Sequence, residues 1–215
     1  MGIWVFGYGS LIFKPPLHET IGPDLTKFTG HVDGYIRRFW QSSSDHRGTP
    51  AFKGRVATII PVSYLDSKSH ESVNQHERLT NPDSQLCVTG CLYYIPPEHA
   101  KEAREYLDVR EQDGYTLKHV NFVVDSDKEN ALLQKFSRDE NGNPLVPCTV
   151  YVGDPEHPNA SYIGPESLED TAKIVAHAVG PSGENIEYLR QLCDSAPPDS
   201  YLTELLNAAM RERGL

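Results

Sequence analysis

The 215-residue chain carries 38% hydrophobic and 23% charged residues with 16 glycines and 16 prolines, which fits a folded core with many turns and no collagen-like or disordered bias. Its 20 basic against 30 acidic residues leave a formal charge of −10, which argues against a nonspecific grip on nucleic acid or anionic lipid but leaves room for a basic cleft around a small anion. The amino-terminal apolar run is too short for a signal or a membrane span, so the expectation is one cytoplasmic domain over residues 1–215, with no membrane or nucleic-acid partner and no obligate protein partner.

Ile3 to Phe6 read as a short buried strand that runs into a glycine-rich turn, Gly7-Tyr8-Gly9-Ser10-Leu11. Such a turn either ends the strand tightly or exposes consecutive backbone N–H groups that hold a carboxylate, a phosphate or a developing oxyanion. Pro15-Pro16 interrupt regular structure, and residues 17–30 read as a surface loop. Val32 to Gln41 read as one strand, on which Arg37 and Arg38 face opposite sides; one is expected in solvent and the other against an anion.

Ser42 to Pro50 form a polar loop in which Asp45 and Arg47 are expected to bond to backbone. Ser44, Asp45 and His46 are too close in sequence to be taken as a hydrolase triad. Val56 to Ile60 is a clear strand. Residues 63–86 read as a flexible surface insertion carrying His70 and His76 at the surface. Cys87 to Ile95 is a long central strand with Gly90 as a candidate bulge.

Glu98 to Val109 have helical spacing, with Ala100, Ala103 and Leu107 inward and Glu102 most simply a solvated position. The helix ends at Arg110-Glu111-Gln112-Asp113-Gly114, a corner where binding groups and plain surface glutamates both occur. A strand runs on from Tyr115 to about Val124. Lys128 to Ser137 suggest a weak helix, residues 139–143 a hairpin-like turn, and Pro147 to Val152 a last strand. Three helices follow: Glu166 to Val179, one organised by Ile186, Leu189, Leu192 and Cys193 with Asn185 as N-cap, and one presenting Leu202, Leu205, Leu206 and Ala209.

Strands come first and helices last without regular alternation, so a doubly wound nucleotide fold is disfavoured. The glycine turn lacks the third glycine of a dinucleotide fingerprint and the Lys-Ser or Lys-Thr of a phosphate loop. Cys87, Cys91, Cys148 and Cys193 read as reduced thiols, three of them in apolar stretches, and their spacing supports no metal site.

Several ordered blocks resemble the ChaC-type glutathione-specific γ-glutamylcyclotransferases. They are Trp4-Val5-Phe6-Gly7-Tyr8-Gly9-Ser10-Leu11, Arg37-Arg38-Phe39-Trp40-Gln41, Asp45-His46-Arg47-Gly48, Gly54-Arg55-Val56, Tyr106-Leu107-x-x-Arg110-Glu111, Tyr151-x-Gly153, Tyr162-x-Gly164-Pro165 and Gly180-Pro181-Ser182-Gly183-x-Asn185-x-Glu187-Tyr188-Leu189. The polar length before Cys87 is similar to the fungal long form. The resemblance implies an α+β fold, a compact mixed β-barrel surrounded by helices, and cleavage of glutathione to 5-oxoproline and cysteinylglycine without cofactor or metal. It further implies that Tyr8, Gly9, Ser10 and Leu11 cradle the γ-glutamyl group, that Glu111 is the catalytic acid/base, that Glu102 supports activity, and that Tyr188 helps close the site. Arg47 either holds the glycyl carboxylate or orders its own loop. Two alternatives stay open: a broader cyclotransferase for γ-glutamyl amino acids or γ-glutamylamines, and a noncatalytic glutathione-binding or redox protein using Cys87 or Cys148.

Overall fold

The computed structural model describes residues 2–15, 25–67, 86–110, 114–155 and 161–215. In chain order the strands and helices are β1 (Ile3–Gly7), β2 (Thr26–Asp33), β3 (Tyr35–Ser43), β4 (Gly54–Pro61), α1 (Val62–Ser67), β5 (Cys87–Ile95), α2 (Ala100–Arg110), β6 (Thr116–Val124), β7 (Leu145–Val152), α3 (Leu168–His177), β8 (Val179–Gly180), β9 (Gly183–Glu184), α4 (Asn185–Ser195) and α5 (Ser200–Glu212). Five of the strands close into a barrel in the order β1-β5-β2-β6-β7, sealed by a parallel contact of β7 with β1 at Thr149 and Val5. β3 and β4 pair separately as an antiparallel ribbon. The fold is thus the α+β barrel with surrounding helices that the sequence implies.

The barrel explains the sequence patterns. β1 lies between β5 and β7 and all its residues are buried, hence its unbroken apolar run, whereas β6 alternates along its exposed first half. Phe6, Phe28, Leu92, Phe122, Val146 and Val150 fill the interior, while Tyr93 on the outer face of β5 and Ala103 and Leu107 of α2 belong to the same core. That core continues through Ala172 and Val175 of α3, Ile186, Leu189 and Leu192 of α4, and Leu202, Leu205 and Ala209 of α5.

The ribbon is fastened to those helices by polar side chains. Arg37 pairs with Asp199, the N-cap of α5, and donates to the Thr89 carbonyl at 2.5 Å. Arg55 meets the Glu166 carboxylate through both Nε and Nη2, at 2.8 and 2.7 Å. Asn185 accepts from the Arg55 N–H at 2.6 Å and donates to its carbonyl at 2.7 Å, so it ties α4 to β4 as a strand would.

Several expectations are corrected here. Residues 26–30 are not loop but the first half of β2; they alternate polar with inward Phe28 and Gly30, a half-buried pattern easily taken for surface. The strand expected over Val32 to Gln41 is two strands, parted at Gly34, whose φ of +76° a side chain would resist. Arg37 and Arg38 are both buried, because β3 is covered on both faces and each guanidinium has a partner: Arg37 the Asp199 carboxylate, Arg38 the ring of Tyr201, 4.5 Å away.

Gly90 makes no bulge, since β2 and β5 stay in register through it; a Cβ there would lie 2.4 Å from the Gly7 carbonyl oxygen. The register shift falls instead between Arg38 and Gln41. Within 128–137 only Ala131–Leu133 form a 3-10 turn, capped by Asn130. The helix expected to reach Val179 ends at His177, and Val179 turns outward into the β8–β9 hairpin, half exposed. Glu184, not Asn185, stands at the N-cap of α4, because the Asn185 amide is committed to β4. The expected insertion at 63–86 begins with α1; most of it, His70 and His76 included, lies outside the described residues.

Candidate active site

A cavity of about 340 Å³ opens between the barrel and the ribbon with its helices. That size is within the range of small-ligand sites, roughly 300–1,000 Å³. Its barrel wall begins at the end of β1, where the chain leaves the strand through Tyr8 and Gly9 into a 3-10 turn over Ser10–Ile12. The first turn of a helix leaves its N–H groups without internal partners. Here the amides of Gly9, Ser10 and Leu11 donate to no group among the described residues.

The turn is pinned from every side. Tyr8 donates its hydroxyl to the Tyr151 carbonyl at 2.7 Å, and Tyr93 donates to the Leu11 carbonyl at 2.7 Å. Burial pushes the Tyr93 phenol up, so it stays a donor. Arg110, the last residue of α2, donates to Ser10 Oγ at 2.7 Å and to the Lys14 carbonyl at 3.3 Å. A guanidinium can hold a loop this way because its donors fan out in one rigid plane. Tyr106, one turn earlier on α2, also lines the cavity and shares its hydroxyl with Arg110 at 3.4 Å.

The opposite wall comes from the ribbon and α4. Arg47, at the ribbon's turn, donates through Nη1 to the Glu184 carbonyl at 3.0 Å and lies 5.8 Å from the Tyr188 ring centroid. Its loop is positioned by backbone approach: a Cβ on Gly180 would lie 2.2 Å from the His46 carbonyl oxygen, and one on Gly48 would lie 2.1 Å from the Gly54 nitrogen. Tyr188 reaches across, accepts from the Ala57 N–H at 3.3 Å, and sits edge-on to Phe13. Tyr115 donates to the Ala57 carbonyl at 3.0 Å, so the two walls are braced against each other at that residue.

Residues 3–210 match the family described as ChaC-like protein. The chain belongs to the ChaC-like family. Among ChaC relatives, a Saccharomyces cerevisiae protein named glutathione-specific gamma-glutamylcyclotransferase is 42% identical over 99% of this chain and 97% of its own length. A Schizosaccharomyces pombe protein of the same name is 35% identical over 88% of this chain and 80% of its own. A crystal structure of a γ-glutamyl cyclotransferase from yeast, specific to glutathione, superposes with a TM-score of 0.87 at 41% identity, covering 98% of this chain and 96% of that one.

Of the residues expected to form the site, the ChaC fold brings Tyr8, Gly9, Ser10, Leu11, Arg47 and Tyr188 onto one cavity. Glu102 is not among the lining residues; it is exposed on the first turn of α2. Glu111 lies outside the described residues, directly after Arg110 in sequence. Arg110, Tyr106, Tyr115, Tyr151, His46 and Ser182 line the cavity without having been assigned a role in advance. For Arg110 a signal existed, since it follows Tyr106 by four residues on one helix face. Nothing local marks Tyr115, and Tyr151 is marked only by the Tyr151-x-Gly153 block.

The four cysteines are free thiols, Cys91 and Cys148 buried, Cys193 half-buried and Cys87 exposed, and none lines the cavity. Burial pushes the Cys148 thiol up to about 12 and raises Cys91 as well; Cys87 is also raised, first by desolvation and then by Asp33 and Asp125. Among the described residues no group of three or more His, Cys, Asp or Glu is arranged to hold a metal, and no helix is long and apolar enough to cross a membrane.

Proposed function

We propose that this protein is a glutathione-specific γ-glutamylcyclotransferase, a carbon–nitrogen lyase that converts glutathione to 5-oxoproline and cysteinylglycine. The observation that carries this reading is the cavity itself: free backbone donors on one wall, a buried cation on the other, and at its rim the arginine that precedes Glu111. The names of the full-length yeast relatives support the substrate.

In a γ-glutamyl unit the attacking amine and the γ-carbonyl belong to one molecule, so ring closure needs no protein nucleophile. It needs a base and a fixed geometry. Glu111 serves as the base, taking a proton from the α-ammonium group and later returning one to the departing cysteinylglycine nitrogen. Folding a flexible substrate so that amine and carbonyl meet recovers up to roughly 7 to 11 kcal/mol of the barrier. The Gly9–Leu11 amides, held by Arg110 and Tyr93, are suited to the negative charge on the γ-glutamyl head, because fixed dipoles stabilise developing charge without reorganising. Glu102, which the resemblance ties to activity, then acts at a distance from the cavity. Four reduced thiols fit a cytosolic setting, where glutathione is abundant.

The test is to supply glutathione and γ-glutamylalanine separately to the purified protein and quantify 5-oxoproline. Release from glutathione alone is expected; comparable release from both would make it a broader cyclotransferase. Glu111→Gln is expected to lose roughly 10²-fold or more in turnover while keeping its melting temperature. Turnover near wild type in that variant would remove Glu111 from the mechanism. The redox alternative has little support from the thiols, since raised values leave little thiolate to react.

A further inference from the structure

Among the described residues four arginines are buried; Arg38 lies against the Tyr201 ring, 4.5 Å from its centroid, and the other three differ in their counterions. Arg37 has Asp199 and Arg55 has the two-point contact with Glu166, both partners largely shielded from solvent. The Arg47 side chain is only 7% exposed, yet its carboxylate partner is Glu187, 3.7 Å away and itself 57% exposed. Nη1 is used on the Glu184 carbonyl, while Nε and Nη2 donate to no group among the described residues. A shielded cation with spare donors in plane is a costly arrangement unless an anion completes it. Those donors belong to a side chain that lines the cavity.

We propose that Arg47 binds the terminal carboxylate of a γ-glutamyl tripeptide and so sets the preference for tripeptides over γ-glutamyl amino acids; this rests on the cyclotransferase reading above. Tyr188 provides the spacing. Its hydroxyl lies 3.2 Å from where a Gly9 Cβ would stand, and the Arg47 guanidinium lies 5.8 Å from its ring centroid, so one tyrosine side chain separates the glycine turn from the cation. A dipeptide beyond the γ-glutamyl head spans about 7 Å when extended, and a single amino acid falls about 3.5 Å short of that. The planar fork of Arg47 matches a carboxylate in two-point fashion, a contact that neither a carboxamide nor a shorter substrate reproduces.

The experiment measures kcat and KM for glutathione and for its glycinamide, in which the terminal carboxylate is a carboxamide, with the wild-type protein and with Arg47→Met. Wild type is expected to favour glutathione by about tenfold or more in kcat/KM, and Arg47→Met to bring the two substrates within about twofold of each other, with the loss falling on KM. Equal use of both substrates by wild type overturns the proposal without any variant. A uniform loss on both substrates in Arg47→Met overturns it too, because it assigns the side chain to loop structure. Should Arg47→Met fail to fold, Arg47→Lys replaces it: a preference reduced from the wild-type ratio supports the two-point contact, and one unchanged from it overturns that contact. If no substrate yields 5-oxoproline, the cyclotransferase reading falls; if all yield it without discrimination, only the role of Arg47 falls.

Discussion

The two walls of the cavity are built on opposite electrical principles. On the barrel side Tyr8 and Tyr93 spend their hydroxyls on main-chain carbonyls, and the free donors are neutral amides of a turn held by Arg110. On the ribbon side the free donors sit on a cation, Arg47, whose charge is only loosely matched. Neutral, fixed dipoles suit charge that develops during a reaction, whereas a permanent cation suits charge that the substrate brings with it. Under the proposed function, chemistry belongs to the barrel wall and recognition to the ribbon wall, a division that can be broken from either side.

The largest effect is expected from Arg110→Met. Losing a charge-assisted hydrogen bond of about 1.5 to 3 kcal/mol to the turn should lower kcat by roughly tenfold to a hundredfold, with KM for glutathione little moved. Steady-state kinetics check this, and a loss confined to KM would erase the division between the walls. Next comes Gly180→Ala. A methyl 2.2 Å from the His46 carbonyl oxygen must displace the backbone that carries Arg47, at a cost of about 1 to 3 kcal/mol. A lowered melting temperature together with a raised KM is expected; an unchanged KM would uncouple that backbone from binding.

The smallest effect concerns the barrel alone. The folded Cys148 thiol titrates near 12, above its ordinary 9.0, so the folded state keeps a proton that the unfolded chain releases. Its contribution is fully present below pH 9 and is lost as pH rises toward 12. Stability should therefore fall by roughly 1 kcal/mol per pH unit across that window from this group. Denaturant midpoints measured from pH 8 to 11 would show it, and Cys148→Val should flatten part of the slope; an identical slope in that variant would place the effect elsewhere.

What could be read in advance follows from how far the signal travels along the chain. β5 was legible to its ends, Cys87 to Ile95, because it is long, apolar and rich in β-formers. β2 was half missed because Lys27, Thr29 and His31 point outward and mimic a loop until the pairing with β5 is known. The glycine turn was legible as a candidate anion holder, but nothing within it told a tight turn from a site. Asn185 had the composition of a cap and proved to be a bridge to β4, which only the packing of α4 on the ribbon could require.

By itself the sequence determined four of the five barrel strands, β1, β5, β6 and β7, the apolar faces of the closing helices and, through its ordered blocks, the family. These depend on local periodicity and on residue types that serve wherever they are placed. The tertiary structure alone decided which arginines find partners elsewhere in the fold and which one lines the cavity. Arg37, Arg38, Arg47 and Arg55 are one residue type within one stretch of chain. Their roles separate only because Asp199, Tyr201 and Glu166, well over a hundred residues away, fold back onto three of them, while Arg47 is left facing the cavity.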